Sequence, residues 1–315
     1  MARQRWGALD DLRGLAVLVM VPVNVAAPFT AIPGWFKHAP ADGLTIADLV
    51  VPVFLFSLGL SSSFSFATRL RDRGALRTIL HAFLRYALLF VFGVIGILFV
   101  DTGARWEMLE TLGLTGFFSF FFLFLPAWPR CAAAVLLLAA VEVLRPLGLG
   151  SLMTPWYGSG LGGPWGTFSL SFFVIVASAL GQVLKEATAA RRILVAGSAA
   201  AILCVAGLLS LIWIPFSKHL LSLSYILFTC GIAAALLVLL VTATEVAHLR
   251  VPLLGSLGRN PLLLYMLHAV LGVLLLLVVP VGADAVVAWL STLAVLVVCS
   301  VIAVVLDRRG WLVKL

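Results

Sequence analysis

Apolar residues run in blocks of about twenty along the whole chain, each closed by a short polar or Gly/Pro-rich break. Folded as a helix at 1.5 Å per residue, such a block covers the roughly 30 Å of hydrocarbon in a bilayer. The pattern predicts about ten spanning helices: Leu9–Thr30, Leu44–Phe66, Ile79–Val100, Trp106–Leu125, Ala132–Leu144, Trp165–Leu184, Ile193–Ile214, Leu221–Val241, Pro261–Val279 and Ala285–Leu306. The fifth is short, and Pro146–Pro164, rich in Gly and Pro, is the longest irregular connection expected. With no internal repeat, heptad array or low-complexity tract, a single all-α bundle over residues 1–315 is the economical architecture.

Composition agrees: 63% of residues are hydrophobic and 11% charged, and the mean hydropathy is +1.17. A water-soluble core of this size could not hide that much apolar side chain, so the lipid bilayer is the expected solvent. The net charge of +8 would point to nucleic acid in a soluble protein. Here the cations sit in short breaks where they orient helices, and no nucleic-acid partner is expected. With a cytoplasmic N-terminus, one side collects Arg3, Arg5, Arg69, Arg71, Arg73, Arg77, Arg130, Lys185, Arg191, Arg192, Arg250, Arg259, Arg308, Arg309 and Lys314. The other side holds Lys37, Arg105, Arg145 and Lys218. That asymmetry predicts both termini inside and an even number of spans. The start, Met1–Trp6 followed by an apolar run, has the look of a signal peptide without a cleavage site and reads as an uncleaved first span. Cys131, Cys204, Cys230 and Cys299 lie inside apolar runs with no CxxC pair and no His/Cys cluster at metal spacing, so they read as small buried residues and no metal is expected.

Ionisable and amide side chains at membrane depth are costly, which makes each a candidate. Asp10 and Arg13, three apart at the start of the first span, share a helix face and read either as a capping ion pair or as an anchor for a charged cofactor on the cytoplasmic side. Asn24, near the outer end of that span, either ties two helices together or donates to a bound carbonyl. In the outer loop, Trp35 and Phe36 precede Lys37 and His38, and Asp48 opens the second span at a similar depth. A histidine and a carboxylate at one level form a plausible base and orienter, while Thr45 to Asp48 equally reads as a helix cap. Further candidates are Glu110 and Thr111 in the fourth span, Ser217, Lys218 and His219 in a later outer loop, and Asn260 and His268 in the ninth span. His81 and Arg85 stand at the cytoplasmic end of the third span, where snorkelling accounts for Arg85, and His248 reads as a solvated loop residue.

The run Leu9-Asp10-Asp11-Leu12-Arg13-Gly14-Leu15, then Met20 and Val23-Asn24, then Lys37-His38 and Gly43-Leu44-Thr45-Ile46-Ala47-Asp48-Leu49-Val50, resembles the heparan-α-glucosaminide N-acetyltransferase family, whose pattern is D-x-x-R-G, M-x-x-V-N and K-H-x-x-x-x-G-L-T-x-A-D-L-V-F-P. Met108 to Thr115, Pro215 to Leu220, Ser224 to Gly231 and Asn260 to Tyr265 resemble later family segments in order and spacing. The resemblance implies a transmembrane acyltransferase that takes acetyl-CoA from the cytosol and acetylates an amino sugar or related glycan on the opposite side. On it His38 matches the catalytic histidine, Asn24 and Asp48 its polar companions, and Lys218 the lysine of the later outer loop. Three departures stand out: Glu110-Thr111-Leu112-Gly113 where the family usually has Gln-Arg-Leu-Gly, Val53 where it has an aromatic residue, and no long lumenal N-terminal domain. The last favours a multi-pass protein of a bacterial cytoplasmic membrane.

The chemistry this implies is attack of a sugar amine or hydroxyl on a thioester carbonyl, with His38 as general base, Asp48 fixing its tautomer and Asn24 stabilising the oxyanion. A covalent acyl-His38 intermediate is the competing route. Asp10, Arg13, Arg259, Asn260 and His268 are the residues expected along the acetyl-CoA path, with Arg13 and Arg259 on its phosphates. Lys218, Glu110 and Trp35 are expected at the acceptor, with Trp156, Tyr157 and Trp165 near it or in the interfacial belt. A secondary transporter and a catalytically inactive scaffold are the rival readings. The oligomeric state, a homodimer among the options, is open.

Overall fold

The computed structural model describes residues 6–40, 42–100 and 106–312, and it is all-helical there, without a strand among the described residues. Arg3, Arg5, Arg105 and Lys314 of the charge count, and the side chain of Tyr157, lie outside the described residues. Six helices are long and apolar enough to cross a membrane, or seven when a sharply bent pair counts as one span, so the chain is a polytopic membrane protein.

The helices, in chain order, are α1 Gly7–Ala26, α2 Val50–Val100, α3 Met108–Phe120, α4 Ala127–Leu144, α5 Gly150–Met153, α6 Gly163–Leu184, α7 Ala189–Ser210, α8 Leu223–Val241, α9 Pro252–Arg259, α10 Pro261–Leu276 and α11 Ala285–Arg308. Every expected span falls on helix. Helix α2 is really two arms, 50–73 and 75–100, because Gly74 takes φ 76°, ψ 170° and breaks the ladder. Ser62 Oγ and Tyr86 Oη lie 3.3 Å apart although 24 residues separate them. A straight helix would hold those residues roughly 36 Å apart, so the chain folds back at Gly74.

Two differences from expectation have local causes. The Gly/Pro-rich connection is largely helical, running through a π-turn at Arg145–Leu149, then α5, then a 3₁₀ stretch at Thr154–Ser159. Gly148, at φ 126°, takes up the bend while backbone bonding continues on either side. Helix α9 was not foreseen. It starts with Pro at its first position, which needs no N–H there, and breaks before Pro261, so α10 leaves at 87° to it.

The chain divides into two compact units. The first comprises residues 1–40, 44–53 and 239–314, the second 41–43, 54–238 and 315. In the first, α1 packs along α9, α10 and α11. A Cβ on Gly14 would lie 1.9 Å from the Leu254 carbonyl oxygen, and one on Gly258 would lie 1.7 Å from that of Asp10. The glycine that ends Asp10-Asp11-Leu12-Arg13-Gly14 is therefore required by helix contact, as small residues are wherever two helices approach to backbone distance. At the far end of α1, Ala26, Phe29, Ile32 and Ala288 form a buried cluster closed by Phe36 and Trp289, which pins the loop that carries His38. In the second unit, α3, α4 and α6 pack together.

Candidate functional site

The best-organised polar group of the first unit starts with local chain geometry. Thr45 caps a 3₁₀ turn, Ile46–Leu49, that opens directly into α2, and Asp48 at its third position completes a capping box. Asp48 Oδ2 accepts from the Thr45 amide at 3.0 Å, from Thr45 Oγ1 at 2.9 Å and from the Ala39 amide at 3.3 Å. Its Oδ1 lies 2.8 Å from His38 Nδ1. The cap and the base-orienter pair, read from sequence as alternatives, are one structure: each carboxylate oxygen serves one role. Asp48 is fully buried while the His38 side chain is 39% exposed, so the carboxylate is fixed and the imidazole reachable. A carboxylate accepts only, so Nδ1 carries the hydrogen and Nε2 is the basic nitrogen. Lys37 is turned away, donating from Nζ to the Phe29 carbonyl at 2.6 Å, and Trp35 is 61% exposed against the edge of Phe36.

A second polar pair joins α1 to α10. Asn24 Nδ2 donates to His268 Nε2 at 3.1 Å, and His268 Nδ1 donates to the Leu264 carbonyl at 3.2 Å. The two bonds are mutually consistent for one neutral tautomer, with Nδ1 protonated and Nε2 accepting. This orients the amide, since only its NH2 end can face that nitrogen. His268 is buried and Asn24 exposed, so the amide keeps a second N–H and its carbonyl oxygen for something else. Sequence placed His268 on the donor's path; the structure brings it to Asn24. The available signal was the rule that polar groups at membrane depth find one another.

At the opposite end of α1, about 17–21 Å from Asn24 along the helix, Arg13 pairs with Asp10 at 3.3 Å. Arg259 is ion-paired with Asp307, whose other oxygen accepts from Ser256 Oγ at 2.8 Å. Buried Asn260 donates to the Trp311 carbonyl at 3.0 Å. These four residues sit at one end of the first unit, with both guanidiniums facing carboxylates.

The remaining candidates belong to the second unit. Lys218 is buried, its stem alongside Gly160. Glu110 is also buried, packed into the space Gly93 leaves for lack of a side chain, and neither carboxyl oxygen has a hydrogen-bond partner among the described residues. A residue counted only as a loop charge has another place altogether. Arg130 is 3% exposed inside the helical bundle, and it donates to six backbone or side-chain acceptors around the end of α3 and along α6.

A family model described as a domain of unknown function (DUF5009) matches residues 5–125, a range that holds Asn24, His38, Asp48 and Glu110. Over 70 residues the chain is 43% identical to the human (Homo sapiens) heparan-alpha-glucosaminide N-acetyltransferase and 41% identical to that of the mouse, Mus musculus. Over those 70 residues the chain is similar to these two acetyltransferases. The matched stretch is 22% of this chain and 10% of each relative's length.

Proposed function

We propose that this protein is a membrane-embedded acyltransferase that moves an acetyl group from cytosolic acetyl-CoA to an amino sugar or related glycan at the outer face. The observation that carries this reading is the His38 Nδ1 to Asp48 Oδ1 bond, on a carboxylate fixed by three further donors. That arrangement leaves a basic Nε2 on an exposed ring whose tautomer and orientation are set, which is what a general base needs. The acceptor amine attacks the thioester carbonyl carbon, His38 Nε2 takes the amine proton, and the C–S bond breaks. The proton then passes to the departing thiolate. Asn24, with its amide turned by His268, donates its second N–H to the oxyanion. Both termini lie on the cytoplasmic side of ten spans.

A transporter is the second reading, and one observation favours it: the 87° break between α9 and α10, a discontinuity of the kind that forms substrate sites in secondary transporters. Transfer from radiolabelled acetyl-CoA to a panel of amino sugars by the purified protein, beside His38→Ala, decides between them. Product lost in the variant supports the acyltransferase. Neither transfer nor acetyl-CoA binding by the wild type would move the function to transport.

A further inference from the structure

In the second unit the fold-back of α2 at Gly74 closes a pocket at the end of its two arms. Its walls include Ser62, Ser65 and Arg69 from the first arm, Arg85 and Tyr86 from the second, and Phe120 from α3, and its empty volume, open mouth included, is about 290 Å³. Cations dominate this end of the hairpin. Arg69, Arg71, Arg73, Arg77 and Arg85 stand against Asp72, and Asp72 is engaged by exposed Arg71 at 3.2 Å. Arg69, Arg73 and Arg85 all act electrostatically on His81, whose buried Nε2 has no hydrogen-bond partner among the described residues. Arg85 lies over the Tyr86 ring, 5.7 Å from its centroid. In the Ser62–Tyr86 pair one hydroxyl donates to the other, which leaves the second hydroxyl's hydrogen available. Two guanidiniums lining a concave site, with a spare hydroxyl donor and no carboxylate among its lining residues, match a phosphoryl group and repel cations.

We infer that this pocket, with Arg69 and Arg85 as its cationic walls, binds the phosphoryl group of a phosphorylated ligand. Two sources carry that chemistry at this face: the nucleotide phosphates of the acyl donor, which rests on the function proposed above, and the headgroup of an anionic phospholipid.

The test is binding to the full-length protein in detergent and in nanodiscs, with CoA, dephospho-CoA and phosphatidylglycerol as probes, for wild type, Arg69→Gln, Arg85→Gln and the control Arg71→Gln. The control removes one positive charge from the same end without touching the pocket wall. If the nucleotide is the ligand, CoA binding weakens about tenfold to a hundredfold in the two pocket variants and much less in the control. A dephospho-CoA affinity that is already low and insensitive to the variants would assign the pocket to the 3′-phosphate. If the headgroup is the ligand, CoA binding is unchanged and retention of phosphatidylglycerol falls in the same two variants. Wild type that binds no CoA removes the acyl-donor reading, and the lipid arm then still judges the pocket. Folded pocket variants that match the control with every probe overturn the inference. Should a glutamine variant fail to fold, Ser65→Glu at the half-buried rim replaces it, and unchanged binding there is equally fatal.

Discussion

Asp48 Oδ1 accepts the His38 Nδ1 hydrogen at 2.8 Å while Oδ2 of the same carboxylate caps the turn that opens α2. Helix start and imidazole orientation are thereby coupled through one side chain. An amide has one acceptor oxygen where a carboxylate has two, so Asp48→Asn leaves either the cap donors or the His38 N–H unmatched. If the oxygen stays at the cap, the NH2 group faces Nδ1 and forces the hydrogen to Nε2, the nitrogen the reaction needs as a base. Asp48→Asn then lowers kcat by about 10²–10⁴-fold, as does His38→Ala, for a lost general base. The two variants separate in stability: a neutral amide holds the cap donors less strongly than a carboxylate, at about 1 kcal/mol in Asp48→Asn, and His38→Ala, on an exposed ring, stays near wild type. Paired kcat and detergent melting measurements check both halves, and an Asp48→Asn enzyme with wild-type kcat would sever the coupling.

On the proposed function the Asn24–His268 pair makes a different prediction, because there Asn24 touches the reacting atoms and His268 only turns it. Asn24→Ala removes an oxyanion donor and lowers kcat about 10²–10³-fold with KM little changed. His268→Ala leaves the amide in place but free to rotate, and such misplacement costs up to about 10²-fold in kcat. His268→Gln restores an acceptor for Asn24 Nδ2 and recovers part of that loss, a rescue that a purely packing role for His268 would not show. Equal kcat in His268→Ala and wild type would remove His268 from the site.

These contacts show which parts of the molecule the sequence makes legible. The long apolar helices follow from block length, because the bilayer fixes the length of a spanning helix, whereas the short α5 and α9 carry no such signal. The His38–Asp48 pair is close in sequence, ten residues apart, so the loop and the helix start carry enough local information to foresee it. Asn24 and His268 are 244 residues apart, and nothing local states that α10 lies beside α1. Arg130 shows the same limit more sharply: beside Pro129 at the start of an apolar run it reads as a topogenic loop charge, and only the packing of α4 on α6 reveals the carbonyls it serves. The pocket at the end of the hairpin needed the φ of Gly74, since the arginine-rich segment around it is, as a string, simply a basic loop.

The close approach of α1 and α9 predicts a stability effect at a residue with no chemistry. A methyl group at residue 14 meets the Leu254 carbonyl at 1.9 Å, and that obstacle is backbone rather than a side chain that can swing away. Gly14→Ala should therefore cost about 3 kcal/mol, the upper end of overpacking penalties, by forcing α9 off α1. A thermal melt in detergent measures it. Gly7→Ala is the comparison on the same helix, because nothing lies within 4 Å of its added methyl. Similar melting temperatures for the two variants would contradict the packing account.

Arg130 makes the strongest claim about the second unit. Its Nη2 donates to the Leu123 and Leu125 carbonyls at 3.1 and 2.6 Å and to Gln182 Oε1 at 3.1 Å, Nη1 reaches the Ser178 carbonyl at 2.9 Å, and Nε the Phe122 carbonyl at 3.1 Å. The Leu123 and Leu125 carbonyls lie at a helix end, where the negative end of the dipole favours a buried cation, while the Phe122 carbonyl also accepts from the Leu125 N–H at 3.0 Å. Arg130→Ala strands several buried acceptors at about 1–3 kcal/mol each, and a total of roughly 3 kcal/mol or more follows even after partial relaxation. Lysine keeps the charge but not the fork: one ammonium cannot span acceptors on α6 and at the end of α3 together, so Arg130→Lys recovers only a fraction of that stability. If lysine restores the melting temperature fully, charge alone explains the residue and the hydrogen-bond geometry is incidental. If both variants melt like wild type, Arg130 is the topogenic loop charge that its place in the sequence predicts.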